Sequence, residues 1–551
     1  MDILLLADVL VAFRAMCLEN YQIDPLHSYT VPGFAWQAAL KMTGIELDLV
    51  SDKDMYLFLV SAKRGGTCVV SKRFANANIP GTSDYNPSNP TSYIIYQDMN
   101  NLYGHAMVQS LPTGKLKWVT ITKDEILTTA DDAEYGYILE VDLEYPSYLH
   151  DQHNDYPLAP EHLEITQEML SPLQNSSFES LKLNSSKKLA PNLHDKKNYV
   201  LHYRNLKYYL DQGMILKKIH RALKFQQSPW LKPFIEFNTQ QRANARSDFE
   251  KDFFKLLNNS VFGKTIENTR EYRNVDLVDS KEKMEKLAKQ PNYRCHTIIN
   301  ENLIAVERFK PTVKMDKPIY TGISVFELSK LSMYKFHYEL IKKIYPGQKS
   351  KVCMTDTDSF VYEIETENIY DDMRQHHEHF DLSNFEDDHP MFCNDNADTI
   401  KHLKNKNKKV LGKMKDELAG KTLLQFVGIR PKAYSLKYEE MVFLDEQGKV
   451  SKEPTHRPEL RISESKKLKG IKKSTVENDI RHEHYMNCLH NGDPLHATMT
   501  TFRSHDHKMS TRTQNKLALC NFDDKRWIME DGISTYAHGH YKTTEMKTLP
   551  L

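Results

Sequence analysis

Lys351-Val352-Cys353-Met354-Thr355-Asp356-Thr357-Asp358-Ser359-Phe360-Val361-Tyr362-Glu363-Ile364 decides the reading of this chain. Apolar strand-like residues lead into and out of Asp356-Thr357-Asp358, so the pattern predicts a β-hairpin with two carboxylates at its tip. Hard divalent ions need several oxygen ligands, and aspartates two residues apart on a strand face one side, where they can share one or two Mg²⁺. An acidic turn with no further role has the same composition. The hairpin alone does not separate the two.

Two upstream patterns shift the balance. Phe253-Phe254-Lys255-Leu256-Leu257-Asn258-Asn259-Ser260-Val261-Phe262-Gly263 reads as a helix carrying K-x3-N-S-x-F-G. Lys251, Lys255 and Asn259 recur at i, i+4, i+8 and fall along one stripe of it, suited to gripping a triphosphate. Farther upstream, Tyr93 to Gln97 reads as a buried strand ending in Asp98-Met99-Asn100-Asn101-Leu102-Tyr103-Gly104, which supplies a third carboxylate. If Asp98 and Asp358 converge, they can hold two metal ions about 4 Å apart, the arrangement of two-metal phosphoryl transfer.

Acidic strand end, basic helix, acidic hairpin is the order of motifs A, B and C in family B DNA polymerases, which this chain resembles. The protein-primed branch is nearest, the Polinton or Maverick transposon and virus-derived group in particular. Arg64-Gly65-Gly66, Tyr156 to Glu161, Gly412-Lys413-Met414-Lys415-Asp416-Glu417 and Arg430-Pro431-Lys432-Ala433-Tyr434 add to the likeness.

The resemblance implies an α+β right-hand fold: a palm with an antiparallel sheet, fingers and a thumb, with insertions in the palm. Asp98 and Asp358 are then the metal ligands and Asp356 a less direct catalytic carboxylate. Lys255 and Asn259 contact the incoming nucleotide, with Lys251, Arg242 and Arg246 as helpers. Tyr103 lies under the sugar and excludes a 2′ hydroxyl, which implies DNA rather than RNA synthesis. Phe262 stands where many relatives carry Tyr. Arg64, Gly65, Gly66, Ser260, Phe262, Gly263, Lys432, Tyr434, Lys469 and Lys472 are implied DNA contacts. Lys432 and Tyr434 form K-x-Y, which steadies the primer terminus and is expected on one face of a strand.

Asp2 in Asp2 to Leu10 matches the last metal ligand of a 3′→5′ exonuclease, with the earlier motifs absent from this sequence, so proofreading is not expected. Along the chain the expected organisation is an exonuclease remnant over 1–60, palm with motif A over 61–118, and a terminal-protein-region-like insertion over 119–200. Palm or linker over 201–235, fingers over 236–271 and a second insertion over 272–315 follow. Palm with motif C and K-x-Y over 316–450 and thumb over 451–551 complete it. About 150 residues separate motifs A and B and about 90 separate B and C, more than strand connections need. A helix from Ser324 to Tyr345 should pack behind the hairpin through a broad apolar face.

Composition fits a large enzyme: 551 residues, 40% hydrophobic, 10% aromatic, with Lys+Arg and Asp+Glu both 74. Zero formal charge weighs against a simple DNA coat, whereas basic runs such as Lys466 to Lys473 leave room for a local positive groove. The seven cysteines are scattered, with no C-x2-C pair, so free thiols in a reducing compartment (nucleus or cytoplasm, not secreted) are expected. No long apolar run predicts a membrane span. Histidines at 376, 377 and 379 and at 505 and 507 lack a full metal-ligand set. The expected cofactor is Mg²⁺, two ions, with Mn²⁺ as a substitute. Expected partners are primer–template DNA, deoxynucleoside triphosphates and a terminal protein primer. Two other readings remain, a catalytically silent domesticated DNA-binding remnant and a metal-dependent nuclease. The nuclease would leave Lys255, Asn259 and Tyr103 unexplained.

Overall fold

A computed structural model describes residues 2–444, 450–451, 457–505 and 508–548. Its centre is a sheet of eleven strands among the described residues. The expected hairpin forms as Ser350–Asp356 and Ser359–Glu365, antiparallel, with Thr355 opposite Phe360. Ser359–Glu365 then pairs antiparallel with Ser92–Met99, which sets Ser359 opposite Asp98. Both strands read as near-continuous apolar runs because both faces are covered: Ile94, Val352, Phe360, Val361 and Tyr362 are all buried.

Beyond Ser92–Met99 the sheet continues through Thr422–Arg430, Ala433–Leu444 and Arg457–Leu468. This last strand pairs with Ala433–Leu444 along its length, so the start of the expected thumb is built into the central sheet. A second, four-stranded sheet joins Leu111–Val119, Ile215–Ser228, Tyr135–Glu144 and Lys196–His202, spanning three of the segments expected to be separate. Residues 273–309 form a small three-stranded sheet with one helix, Lys281–Ala288, within the expected second insertion.

The helix expected from Ser324 starts earlier, as Ile319–Tyr334, and widens into a π-helical stretch, Lys335–Ile341. That stretch lies against the hairpin, with the Phe336 ring 6.3 Å from Phe360 at 21° and His337 Nδ1 3.0 Å from the Tyr362 hydroxyl. Almost every residue of Ile319–Tyr334 is buried, which is why no one-sided apolar stripe marks its start. Asp2 begins the helix Asp2–Tyr21, and its side chain lies outside the described ones. Among the described residues no helix is long and apolar enough to cross a membrane. All seven cysteines are free thiols.

Buried histidines give the fold a pH dependence. His153, His482 and His538 are each held down to about 4, first by burial. His482 sits between the Ser435 hydroxyl at 2.8 Å and Gln425 Oε1 at 2.6 Å. An unfolded histidine titrates near about 6.5, so between there and about 4 the unfolded chain binds more protons than the native one. Stability is therefore full above about pH 6.5 and drains as pH falls, by up to about 3 kcal/mol per histidine. Melting temperatures recorded from pH 7 to pH 4.5 should fall steadily, with a shallower slope for His482→Gln. A flat profile would contradict the burial of these rings.

Candidate active site

Hairpin geometry brings the two key carboxylates together. Asp98 is the penultimate residue of the strand Ser92–Met99, and the Met99 N–H donates to the Asp358 carbonyl at 2.7 Å. Asp358 follows a tight turn in which Thr357 takes φ 69° and the Asp358 N–H reaches the Asp356 carbonyl at 2.8 Å. Gly66 backs this turn. A Cβ there would lie 2.3 Å from Thr357 Cγ2, so glycine permits the loop to approach the Asp356–Asp358 turn.

Burial and like charge raise both acids. Asp98 is pushed to about 8, by burial first, then by Asp358 and Glu417, against Lys255 and Lys415. Asp358 is pushed to about 6, mainly by burial, with Asp356 adding to it. A pair of half-buried carboxylates that repel each other favours a cation between them. Among the described residues no group of three or more His, Cys, Asp or Glu side chains is disposed to hold a metal ion. Two carboxylates still fit Mg²⁺, which keeps water and takes substrate phosphates for its remaining positions.

Asp356 is engaged elsewhere, by Lys432 Nζ at 2.6 Å. Lys432 is not on a strand, as expected, but in the turn between Thr422–Arg430 and Ala433–Leu444, at φ 62°. Tyr434 lies in the second of these strands, nearly buried, its hydroxyl 3.1 Å from that of Tyr96. The left-handed turn residue brings both members of K-x-Y to the same cleft despite the break in the strand.

That cleft, of about 900 Å³, is lined by Asp98, Tyr103, Asp356, Asp358, Lys432 and Tyr434. Lys466, Lys467, Lys469 and Lys473 line it too, Lys467 opposite Tyr434 on the neighbouring strand. The Lys469 N–H donates to the Lys432 carbonyl at 3.0 Å, tying the basic run to the K-x-Y turn. Lys466 is drawn inward onto the Ile480 carbonyl at 2.6 Å, while Lys472 is exposed and outside the cleft wall.

The predicted basic helix is Asp248–Thr265, capped by Ser247. Its buried face carries Phe253, Phe254, Leu257 and Val261, which leaves Lys251, Lys255 and Asn259 exposed along the opposite stripe. Lys251 bonds back to Asp248 at 2.9 Å. Arg242, Lys251, Lys408 and Lys415 together bear on Lys409, whose pKa is lowered by burial and by their charge, so a basic cluster gathers beside the stripe. Arg246 is exposed in the turn before the helix. The Ser260 hydroxyl bonds the Leu256 carbonyl of its own helix at 2.6 Å, and Gly263 faces open space.

Tyr103 and Phe262 meet, with ring centroids 4.4 Å apart at 33°, and Phe326 closes the edge 5.9 Å from Tyr103. The Tyr103 hydroxyl is pushed up to about 12, by burial and then by the charges of Asp358 and Asp356, so the ring borders the acidic pair.

Arg64 is buried rather than displayed on an open loop. It was expected to touch DNA, but it is 4% exposed, lies 4.0 Å over the Tyr199 ring and donates to the Val200 carbonyl. A guanidinium enclosed in this way ties its loop to the strand that carries Tyr199 and Val200, and it also lines a cavity of about 550 Å³ with Lys63, Lys197 and Arg270. Gly65 and Gly66 remain partly open beside it. Lys415 and Glu417 were missed as individual site residues. The short strand Met414–Asp416 pairs with Ser92–Met99 and sets Lys415 opposite Asp98. Three residues are too few for a strand period to be read, and the Gly412 to Glu417 phrase was the available signal.

The architecture, a large antiparallel sheet carrying a paired-carboxylate hairpin with helices at its flanks, is a polymerase-like fold. Phi29 DNA polymerase complexed with primer-template DNA, in a post-translocation binary complex, matches with TM-score 0.50 and 14% identity over 89% of this chain and 67% of that chain. An orthorhombic crystal form of Phi29 DNA polymerase matches equally, with TM-score 0.50 and 14% identity over 88% of this chain and 68% of that one. No protein-family model and no curated protein sequence matches the chain.

Proposed function

We propose that this chain is a DNA-templated DNA polymerase, adding deoxynucleotides to a primer 3′ hydroxyl. The observation that carries the reading is the register that joins Asp98 to the Asp356–Asp358 hairpin, with Lys255 bearing on Asp98 and Tyr103 bordering the pair. Similarity of fold to a DNA polymerase supports it.

In this reading Asp98 and Asp358 hold Mg²⁺, or Mn²⁺ in its place, and the metal when bound activates the primer hydroxyl and offsets charge on the triphosphate. The protein's part is positioning and charge. Lys255 and Asn259 orient the triphosphate from the exposed helix stripe, and Tyr103 on Phe262 forms the floor for the sugar. Lys432, released from Asp356, and Lys469 take primer-strand phosphates across the cleft.

The remaining assignments follow as parts of the same proposal. Residues 236–271 act as fingers, the central sheet as palm, and the region after Leu468 as thumb. Residues 1–60 are exonuclease-like, and 119–200 and 272–315 are the insertions that receive a terminal protein primer and clamp DNA. The virus-derived, Polinton-like protein-primed branch is the proposed affiliation.

Purified protein given a labelled primer–template, Mg²⁺ and one deoxynucleotide at a time tests the reading. Addition of the complementary nucleotide alone is expected. DNA binding with no addition in Mg²⁺ or Mn²⁺ would favour the silent remnant, and primer shortening lost in Asp358→Asn would favour a nuclease.

A further inference from the structure

Behind the site lies a buried group of charges, two of whose members, Glu327 and Lys330, belong to none of the motifs. Glu327, on Ile319–Tyr334, is fully buried, and neither carboxylate oxygen has a hydrogen-bond partner among the described residues. It lies 3.3 Å from Lys330 Nζ and 3.6 Å from Arg64 Nη2. Both cations are themselves buried, at 3% and 5% side-chain exposure. Such a triad is costly to desolvate and is weak as a source of stability, which turns attention to what its hydrogen bonds position.

Its connections lead to both halves of the candidate site. Lys330 Nζ donates to the Arg64 carbonyl and to the Phe326 carbonyl, each at 2.9 Å. Arg64 starts the loop whose Gly66 abuts Thr357, between Asp356 and Asp358. The Thr357 N–H donates to the Thr67 carbonyl at 2.8 Å, fastening that turn to the same loop. Phe326 in turn packs on Tyr103 and on Phe262, 5.9 Å and 5.7 Å between centroids. One ammonium group thus bridges the backbone that sets the carboxylate turn and the backbone that sets the aromatic floor.

We infer that Glu327 and Lys330 are positioning residues, which lock the metal-binding turn and the sugar-binding ring in one register through Arg64 and Phe326. The inference rests on the polymerase reading for its functional consequence. Glu327 fixes the direction of Lys330, and Lys330 fixes the spacing of the two backbone segments.

Glu327→Gln and the double change Glu327→Met/Lys330→Met, which leaves Arg64 as the one charge of the triad, are compared by local rather than global readouts. Hydrogen exchange should quicken in peptides covering 64–67 and 355–358 and remain unchanged in the distant hairpin 495–519. In primer extension, the deoxynucleotide KM should rise about tenfold with a smaller change in kcat, and discrimination against ribonucleotides should fall by a similar factor. Exchange unchanged at 64–67 and 355–358, or raised uniformly, would overturn the inference, as would unchanged KM and sugar selectivity in an active enzyme. If the wild-type chain extends no primer while the local exchange change occurs, the polymerase reading fails and the positioning link stands. Should both charge variants fail to fold, Phe326→Leu keeps all three charges and removes the ring that links Lys330 to Tyr103 and Phe262. The same kinetic loss is expected there, and its absence would overturn the inference.

Discussion

Asp98→Asn and Asp358→Asn should each lower nucleotide addition by about a thousandfold or more, because in the proposed reading each removes one of the two carboxylates that would hold the metal ions. The same changes should leave the fold intact. Asp98 is raised to about 8 and Asp358 to about 6, by burial first and by neighbouring carboxylates after it, so an isosteric neutral group relieves repulsion. Melting temperature without divalent ions should stay level or rise while single-nucleotide extension disappears. Asp356→Asn is the internal contrast. Its carboxylate is paired with Lys432, so the loss should be smaller and should appear as weaker primer binding. Near-normal extension by Asp98→Asn would reject the metal assignment.

Tyr103→Val should lower selectivity for deoxyribonucleotides over ribonucleotides by about a hundredfold, since a steric barrier to the 2′ hydroxyl is removed without touching the acids. Tyr103→Phe should keep most of the selectivity, because in the proposed reading the ring itself, 4.4 Å from Phe262 and tilted by 33°, is the barrier. Competition between dCTP and CTP opposite one template guanine gives the ratio directly. An unchanged ratio in Tyr103→Val would make this ring a packing residue.

Where local rules suffice, sequence and structure agree. Apolar runs broken by Asp356-Thr357-Asp358 form a hairpin because the turn is local and both strands are covered. The stripe of Lys251, Lys255 and Asn259 is exposed because Phe253, Leu257 and Val261 bury the opposite face of one helix. Tyr103 follows Asp98 closely enough that one strand–helix junction places both.

What only the tertiary structure decided depends on contacts between distant segments. Arg64 reads as a loop cation available to phosphate, yet 136 residues onward the Val200 carbonyl and the neighbouring Tyr199 ring enclose it. Lys432 and Tyr434 share a cleft through a left-handed turn that alternation along a strand does not foresee. Lys415 comes opposite Asp98 by pairing of a three-residue strand, and Glu327 becomes a buried charge only when Arg64 and Lys330 close over it. By itself the sequence determined the hairpin, the basic helix and the candidate acids, because periodicity and turn chemistry act over a few residues. The meeting of those acids, and the ionic support behind them, required long-range pairing, whose energy lies in burial and charge shared between segments that no local pattern records.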